Sequence, residues 1–183
     1  MDLTIYRDKF DQLETPFYYY DTQLLKQTLE EANRCATEIS SSMIHFAIKA
    51  NANPTLLKYI KDAGMGADCV SGGEIQRCIE VGIPGKKIMF AGVGKTDKEI
   101  RLGIENDILC FNVESLAEID IINHLAKEMQ KKARVSIRIN PNIDAHTHKF
   151  ITTGLEENKF GISMDDMISA IHHGQAHTIH GIH

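Results

Sequence analysis

Short β-branched or aromatic runs alternate with helix-like segments along nearly the whole chain, and this alternation limits the folds open to it. The runs are Phe17–Tyr20, Ile44–Ile48, Ala67–Val70, Lys87–Phe90, Ile108–Phe111, Arg134–Ile139 and Thr178–His183. Helix-like segments fall near 22–38, 54–63, 72–81, 96–105, 114–130 and 164–173. From residue 44 the first five strand starts lie roughly 20–26 residues apart. That spacing leaves room for a strand, a turn and a returning helix, so neighbouring strands are expected parallel with right-handed crossovers. Start signals agree. Asn53-Pro54 sets a capping residue before a proline at the first helical position, and Ser71…Glu74, Thr96…Glu99 and Ser115…Glu118 have capping-box spacing. A doubly wound sheet and a (β/α)8 barrel both fit the pattern. No GxGxxG follows the first strand, which disfavours the dinucleotide-binding version and favours an α/β fold of the (β/α)8 TIM-barrel type.

Counting units gives six barrel-type strands, where a closed barrel has eight in about 250 residues. An open remnant would leave sheet edges unpaired, so the expectation is a barrel truncated after about six strands, part of a longer protein. Residues 1–43 read as a strand and helix leading in, and 44–183 as the partial barrel. The long irregular stretch from Asn140 to Gly161 follows the fifth strand, on the face where barrels build active sites.

The net charge of −5 supplies no basic block for a nucleic acid. No run of about 18 apolar residues could span a membrane. The N-terminus shows no secretory pattern, and Cys35, Cys69, Cys78 and Cys110 form no CxxC pair. The simplest expectation is a reduced, cytoplasmic chain.

Chemistry centres on His45-Phe46-Ala47-Ile48-Lys49-Ala50-Asn51-Ala52-Asn53-Pro54. Lys49 ends an apolar strand, where a barrel side chain enters the mouth. An amine shielded from water favours its neutral form, which attacks aldehydes. By position alone a surface lysine ending a strand is the plainer reading. The segment Phe46–Asn51, with Leu56-Leu57, Ile60 and Gly64, resembles the cofactor-lysine signature of the barrel-type pyridoxal-phosphate (PLP) amino-acid decarboxylases. That family includes enzymes for ornithine, arginine and diaminopimelate. Further matches follow in order: Gly66-Ala67-Asp68-Cys69-Val70-Ser71-Gly72-Gly73-Glu74, Phe90-Ala91-Gly92-Val93-Gly94-Lys95-Thr96, Ser136-Ile137-Arg138-Ile139-Asn140-Pro141 and Thr153-Gly154-Leu155-Glu156-Glu157-Asn158-Lys159-Phe160-Gly161. The second and last of these five motifs are closest to the diaminopimelate type.

The resemblance implies that Lys49 carries PLP covalently, that Asp68 and Arg138 lie at the cofactor, that Glu74 faces the substrate, and that Lys159 supports a dimer interface. It implies a small amino-acid substrate, meso-diaminopimelate yielding L-lysine, in a full-length homodimer. Carboxynorspermidine, ornithine or arginine as substrate, or a non-catalytic PLP-binding barrel, are the alternatives. It also implies that a ring-stacking histidine, a glycine-rich phosphate loop, a glutamate for the pyridine nitrogen and a C-terminal β-domain lie beyond His183, leaving the chain alone with weak PLP binding and negligible turnover. Each site residue has a plainer explanation: Asp68 or Glu74 as a helix-capping carboxylate, Lys159 as a loop lysine. Arg138 shares one face with Ser136 and Asn140, opposite Val135, Ile137 and Ile139. A charge there needs a carboxylate, and Asp68 is the first partner expected.

Two other signals carry little. The nine histidines, among them His146, His148, His172, His173, His177, His180 and His183, lack zinc-site spacing, so no metal is expected. Gly92-Val93-Gly94-Lys95-Thr96 lacks P-loop spacing and reads as a strand-to-helix turn.

Overall fold

A computed structural model describes residues 4–140, 161–174 and 178–182. After a 3₁₀ turn at Thr4–Tyr6 come α1 (Arg7–Phe10), α2 (Thr22–Ala36), β1 (His45–Ala47), a second 3₁₀ turn (Ile48–Ala50), α3 (Pro54–Asp62), β2 (Gly66–Cys69) and α4 (Gly72–Glu80). A third 3₁₀ turn (Gly85–Lys87) leads into β3 (Ile88–Phe90), α5 (Asp97–Glu105), β4 (Cys110–Val113), α6 (Leu116–Glu128), β5 (Arg134–Ile137), β6 (Ile139–Asn140), β7 (Ile162–Ser163), α7 (Met167–Gly174) and β8 (Thr178–Ile182). Six strands form one sheet in the order β1-β2-β3-β4-β5-β8, every pairing parallel. Sequential parallel strands with a helix between each pair form the wall of a (β/α) barrel.

The register divides the sheet into two faces. His45 pairs with Gly66, Ala47 with Asp68, Asp68 with Met89, Met89 with Cys110, and Asn112 with Ser136. These residues share the inner face. The alternate positions (Ala67, Cys69, Ile88, Phe90, Phe111, Val113, Val135 and Ile137) are buried against Ile75, Cys78, Ile100, Ile104, Ile119, Ile122 and Leu125 of α4, α5 and α6. Burial of each large aliphatic side chain contributes about 1.5–3 kcal/mol, so the helix-facing layer carries the stability. The inner face is free to be polar.

Three sequence expectations are corrected. Phe17–Tyr20 forms no strand and pairs with none among the described residues. Instead Tyr6, Phe10, Phe17 and Tyr19 contact one another with ring centroids 5.4–6.0 Å apart. β-propensity measures fit to a half-buried pleated surface, and here the rings find that surface in each other. The fourth strand starts at Cys110 rather than Ile108, because Ile108 and Leu109 complete a turn. The Leu109 N–H donates to Gly85 O and Ile88 O, while Arg134 donates to Leu109 O at 2.8 Å. The fifth run divides at Arg138, after which β6 pairs with β7 instead of extending the main sheet.

Capping follows the sequence in part. Asn53 accepts from Thr55 N, and Ser71, Thr96 and Ser115 cap α4, α5 and α6. Only Thr96 and Glu99 close a full capping box. Glu74 and Glu118 reach one residue further back, to the N–H groups of Val70 and Glu114, each at 2.8 Å. Glu99 also accepts from Gly72 N at 2.7 Å. This tie needs a glycine at 72, where a Cβ would lie 2.6 Å from Glu99 Cγ. Hydrogen bonds from the Gly72 N–H, then the Thr96 N–H, hold the Glu99 carboxyl below its ordinary 4.5. The stability that this ionised group adds is present above pH 4.5 and fades as acid lowers the pH toward the folded-state value. Urea denaturation of wild type and Glu99→Gln should show a stability gap at pH 7 that narrows by about pH 3.5. A gap of constant size over that range would contradict the capping role.

Candidate active site

Lys49 lies two residues beyond the last residue of β1, in the 3₁₀ turn Ile48–Ala50. Fully buried Ile48 anchors the turn, and Lys49 itself is exposed. The sequence reading had Lys49 ending the strand in partial shelter. The turn instead carries it past the end of the sheet, and the described residues do not shield it. Beyond it, Asn51 donates to Tyr20 Oη at 2.9 Å and accepts from Asn53 N at 3.0 Å. The chain is thus led directly into α3, whose proline at the first helical position loses no hydrogen bond.

Asp68 stands one strand away, opposite Ala47 on the inner face. Its Oδ1 is buried with no hydrogen-bond partner among the described residues, and the same holds for His45 Nε2. The His45 ring lies against Gly66, where an added Cβ would come within 2.4 Å of it. An unpaired buried polar atom costs about 1–3 kcal/mol. Two of them share the inner face, so both keep hydrogen-bonding capacity that the described residues leave unused. Burial pushes the His45 imidazole below its ordinary 6.5, against the pull of the Asp68 charge and a backbone bond at Met43, with Lys87 adding to the depression.

Arg138 reaches Glu114, not the expected Asp68: its Nη1 lies 3.1 Å from Glu114 Oε1. The reason is geometric. Arg138 N donates to Val113 O at 2.9 Å, which sets Arg138 beside the residue following β4. The second Glu114 oxygen accepts from Gly161 N at 2.9 Å, and Ile162 N donates to Arg138 O at 2.8 Å. Gly161 adopts φ +84° with Asn140 N and Arg138 O too close for a side chain. The carboxyl end of β5 and the start of β7 are therefore held together at one carboxylate.

Glu74 spends one oxygen on the Val70 N–H. Lys159 lies outside the described residues, as do His146, His148, His177 and His183. Among the described residues no group of three or more His, Cys, Asp and Glu side chains is placed to hold a metal, and no helix is long and apolar enough to cross a membrane. The sequence motifs give Glu114 no part, and Lys95 stands in the Phe90–Thr96 motif with no role assigned. Both are buried, and the available signal was a charged residue immediately after an apolar strand or its glycine turn.

Residues 25–183 match the family model described as pyridoxal-dependent decarboxylase, pyridoxal binding domain. The chain belongs to the pyridoxal-dependent decarboxylase family. It is 58% identical over 160 residues to diaminopimelate decarboxylase of Bacteroides thetaiotaomicron, a match covering 87% of this chain and 42% of that protein. The chain thus spans less than half the length of this relative. Its fold superposes on a point mutant of diaminopimelate decarboxylase from Helicobacter pylori complexed with L-lysine with a TM-score of 0.85 at 39% identity, covering 97% of this chain and 46% of that one. The enzyme from M. jannaschii in co-complex with L-lysine gives 0.84 at 35% identity, covering 96% and 43%.

The family's cofactor is PLP, and the residues present fit it. A primary amine stands in the turn just past β1, and on the neighbouring strand a carboxylate oxygen is buried with no donor among the described residues.

The depressed imidazole gives a test of the inner face. The unfolded chain takes up the His45 proton at higher pH than the folded chain, so the stability tied to neutral His45 is present above pH 6.5 and is lost as the pH falls below it. His45→Gln should therefore lose less stability than wild type between pH 7 and about pH 5 in urea denaturation. Equal losses would show that His45 is not held neutral.

Proposed function

We propose that Lys49 carries pyridoxal phosphate and that the chain serves the decarboxylation of meso-diaminopimelate to L-lysine and carbon dioxide. The observation that carries this reading is the placement of Lys49 one strand from the unengaged Asp68 oxygen, at the end of the sheet where barrel enzymes bind substrate. The choice of substrate rests on 58% identity to the Bacteroides diaminopimelate decarboxylase.

Bound PLP supplies the electron sink for the electron pair left when the carboxylate departs. The protein's part is to hold and orient. The Lys49 amine would hold the cofactor covalently and, at the end of the sheet, would be placed to move a proton at the reacting carbon. Asp68 offers a fixed acceptor on the inner face. Arg138, held by Glu114, adds a positive charge in a set position. Glu74 faces the substrate in this reading, and Lys159 supports a dimer of the whole protein.

Treatment of the chain with PLP and borohydride, followed by peptide mass mapping, should place the pyridoxyl label on Lys49. A label on a different lysine would refute the assignment. For substrate, this chain can replace the matching segment of the Bacteroides enzyme. The chimera should release carbon dioxide from diaminopimelate in preference to ornithine or arginine, and Lys49→Ala should abolish the release. Preference for ornithine or arginine would move the protein to another branch of the family.

A further inference from the structure

Lys95 is a buried cation. Its side chain is 1% exposed, and it stands 2.5 Å from Glu118 Oε1. An ammonium removed from water is tolerated when its three N–H groups all find acceptors. Here they do: Gly92 O at 2.7 Å, Asn112 O at 2.8 Å and Glu118. The Phe90 ring lies beneath, 5.4 Å from the nitrogen. Gly92 follows β3 and Asn112 lies near the carboxyl end of β4, so the ammonium pins these two strand ends together. Glu118, in the first turn of α6, accepts from Glu114 N with its other oxygen at 2.8 Å. Glu114, its side chain 5% exposed, then holds Arg138 and the Gly161 N–H.

Two ion pairs, Lys95 with Glu118 and Arg138 with Glu114, are joined through the Glu114 backbone N–H, which donates to Glu118. They run across the carboxyl ends of β3, β4 and β5, on the same side of the sheet as Lys49. Buried ion pairs add little to stability compared with apolar residues of the same volume. What four linked charges do provide is a fixed direction for the last of them. We infer that Lys95, Glu118 and Glu114 are positioning residues that fix Arg138 and the re-entry of the chain at Gly161 for cofactor binding. The inference rests on the reading that Lys49 carries PLP.

The test uses the full chain, titrated with PLP and fixed with borohydride, with the half-saturating PLP concentration for labelling at Lys49 as the readout. Wild type is compared with Lys95→Met, Glu118→Gln, Glu114→Gln and the Lys95→Met/Glu114→Gln double variant, each checked by thermal melting. Glu118→Gln keeps the side-chain shape but cannot accept from both Lys95 and Glu114 N, so it carries the test if Lys95→Met does not fold. Each folded single variant should raise the half-saturating concentration about tenfold, the lower end of what loss of an outer-shell partner costs. The double variant should be no worse than the weaker single, because all act through the same arginine. Lowered melting temperatures with unchanged half-saturation would make the network purely structural and overturn the inference. So would multiplied effects in the double variant. Absence of Lys49 labelling in wild type would instead remove the cofactor reading, and this inference with it.

Discussion

The parallel register of the sheet is the constraint on which everything else depends. Parallel strands joined by returning helices present all their carboxyl ends on one side, so groups far apart in sequence meet there. Ala47 opposite Asp68 sets the distance between the Lys49 turn and the inner-face carboxylate. Val113 opposite Ile137 brings Glu114 to Arg138. A slip of one residue in either pairing would turn Asp68 toward the helices or Arg138 away from Glu114.

The two faces of the sheet divide the work. The helix-facing side holds nearly all the aliphatic burial, which leaves the inner face able to carry His45, Asp68, Asn112 and Ser136. Unpaired atoms at His45 and Asp68 would be a plain defect in a core made only for stability. In the proposed cofactor site they would be the positions where binding recovers the lost hydrogen bonds. Lys95, Glu118 and Glu114 illustrate the opposite case, a polar network already closed before any ligand arrives.

Much of this was legible in the sequence, and for identifiable reasons. Helix starts were read from single residues, because Asn53, Ser71, Thr96 and Ser115 cap through local hydrogen bonds that depend on a few neighbours. The strands from β1 to β5 were read from their β-branched runs and spacing, apart from the delayed start of β4 and the break at Arg138. Those two failures have a common origin: both are set by contacts across the sheet, Arg134 to Leu109 and Arg138 to Val113 and Glu114, which local pattern does not report. Phe17–Tyr20 failed because aromatic residues satisfy one another as readily as they join a sheet. At the candidate site, Lys49 and Asp68 are proposed from ordered motifs, whereas Glu114 and Lys95 look like ordinary surface charges until the fold buries them.

The most direct measurement is an experimental structure of the chain soaked with pyridoxal phosphate. The expected result is density continuous with Lys49 Nζ, with the cofactor ring beside Asp68 and the Glu114–Arg138 pair intact. Cofactor density joined to another lysine, or Lys49 and Asp68 on opposite ends of the sheet, would contradict the account.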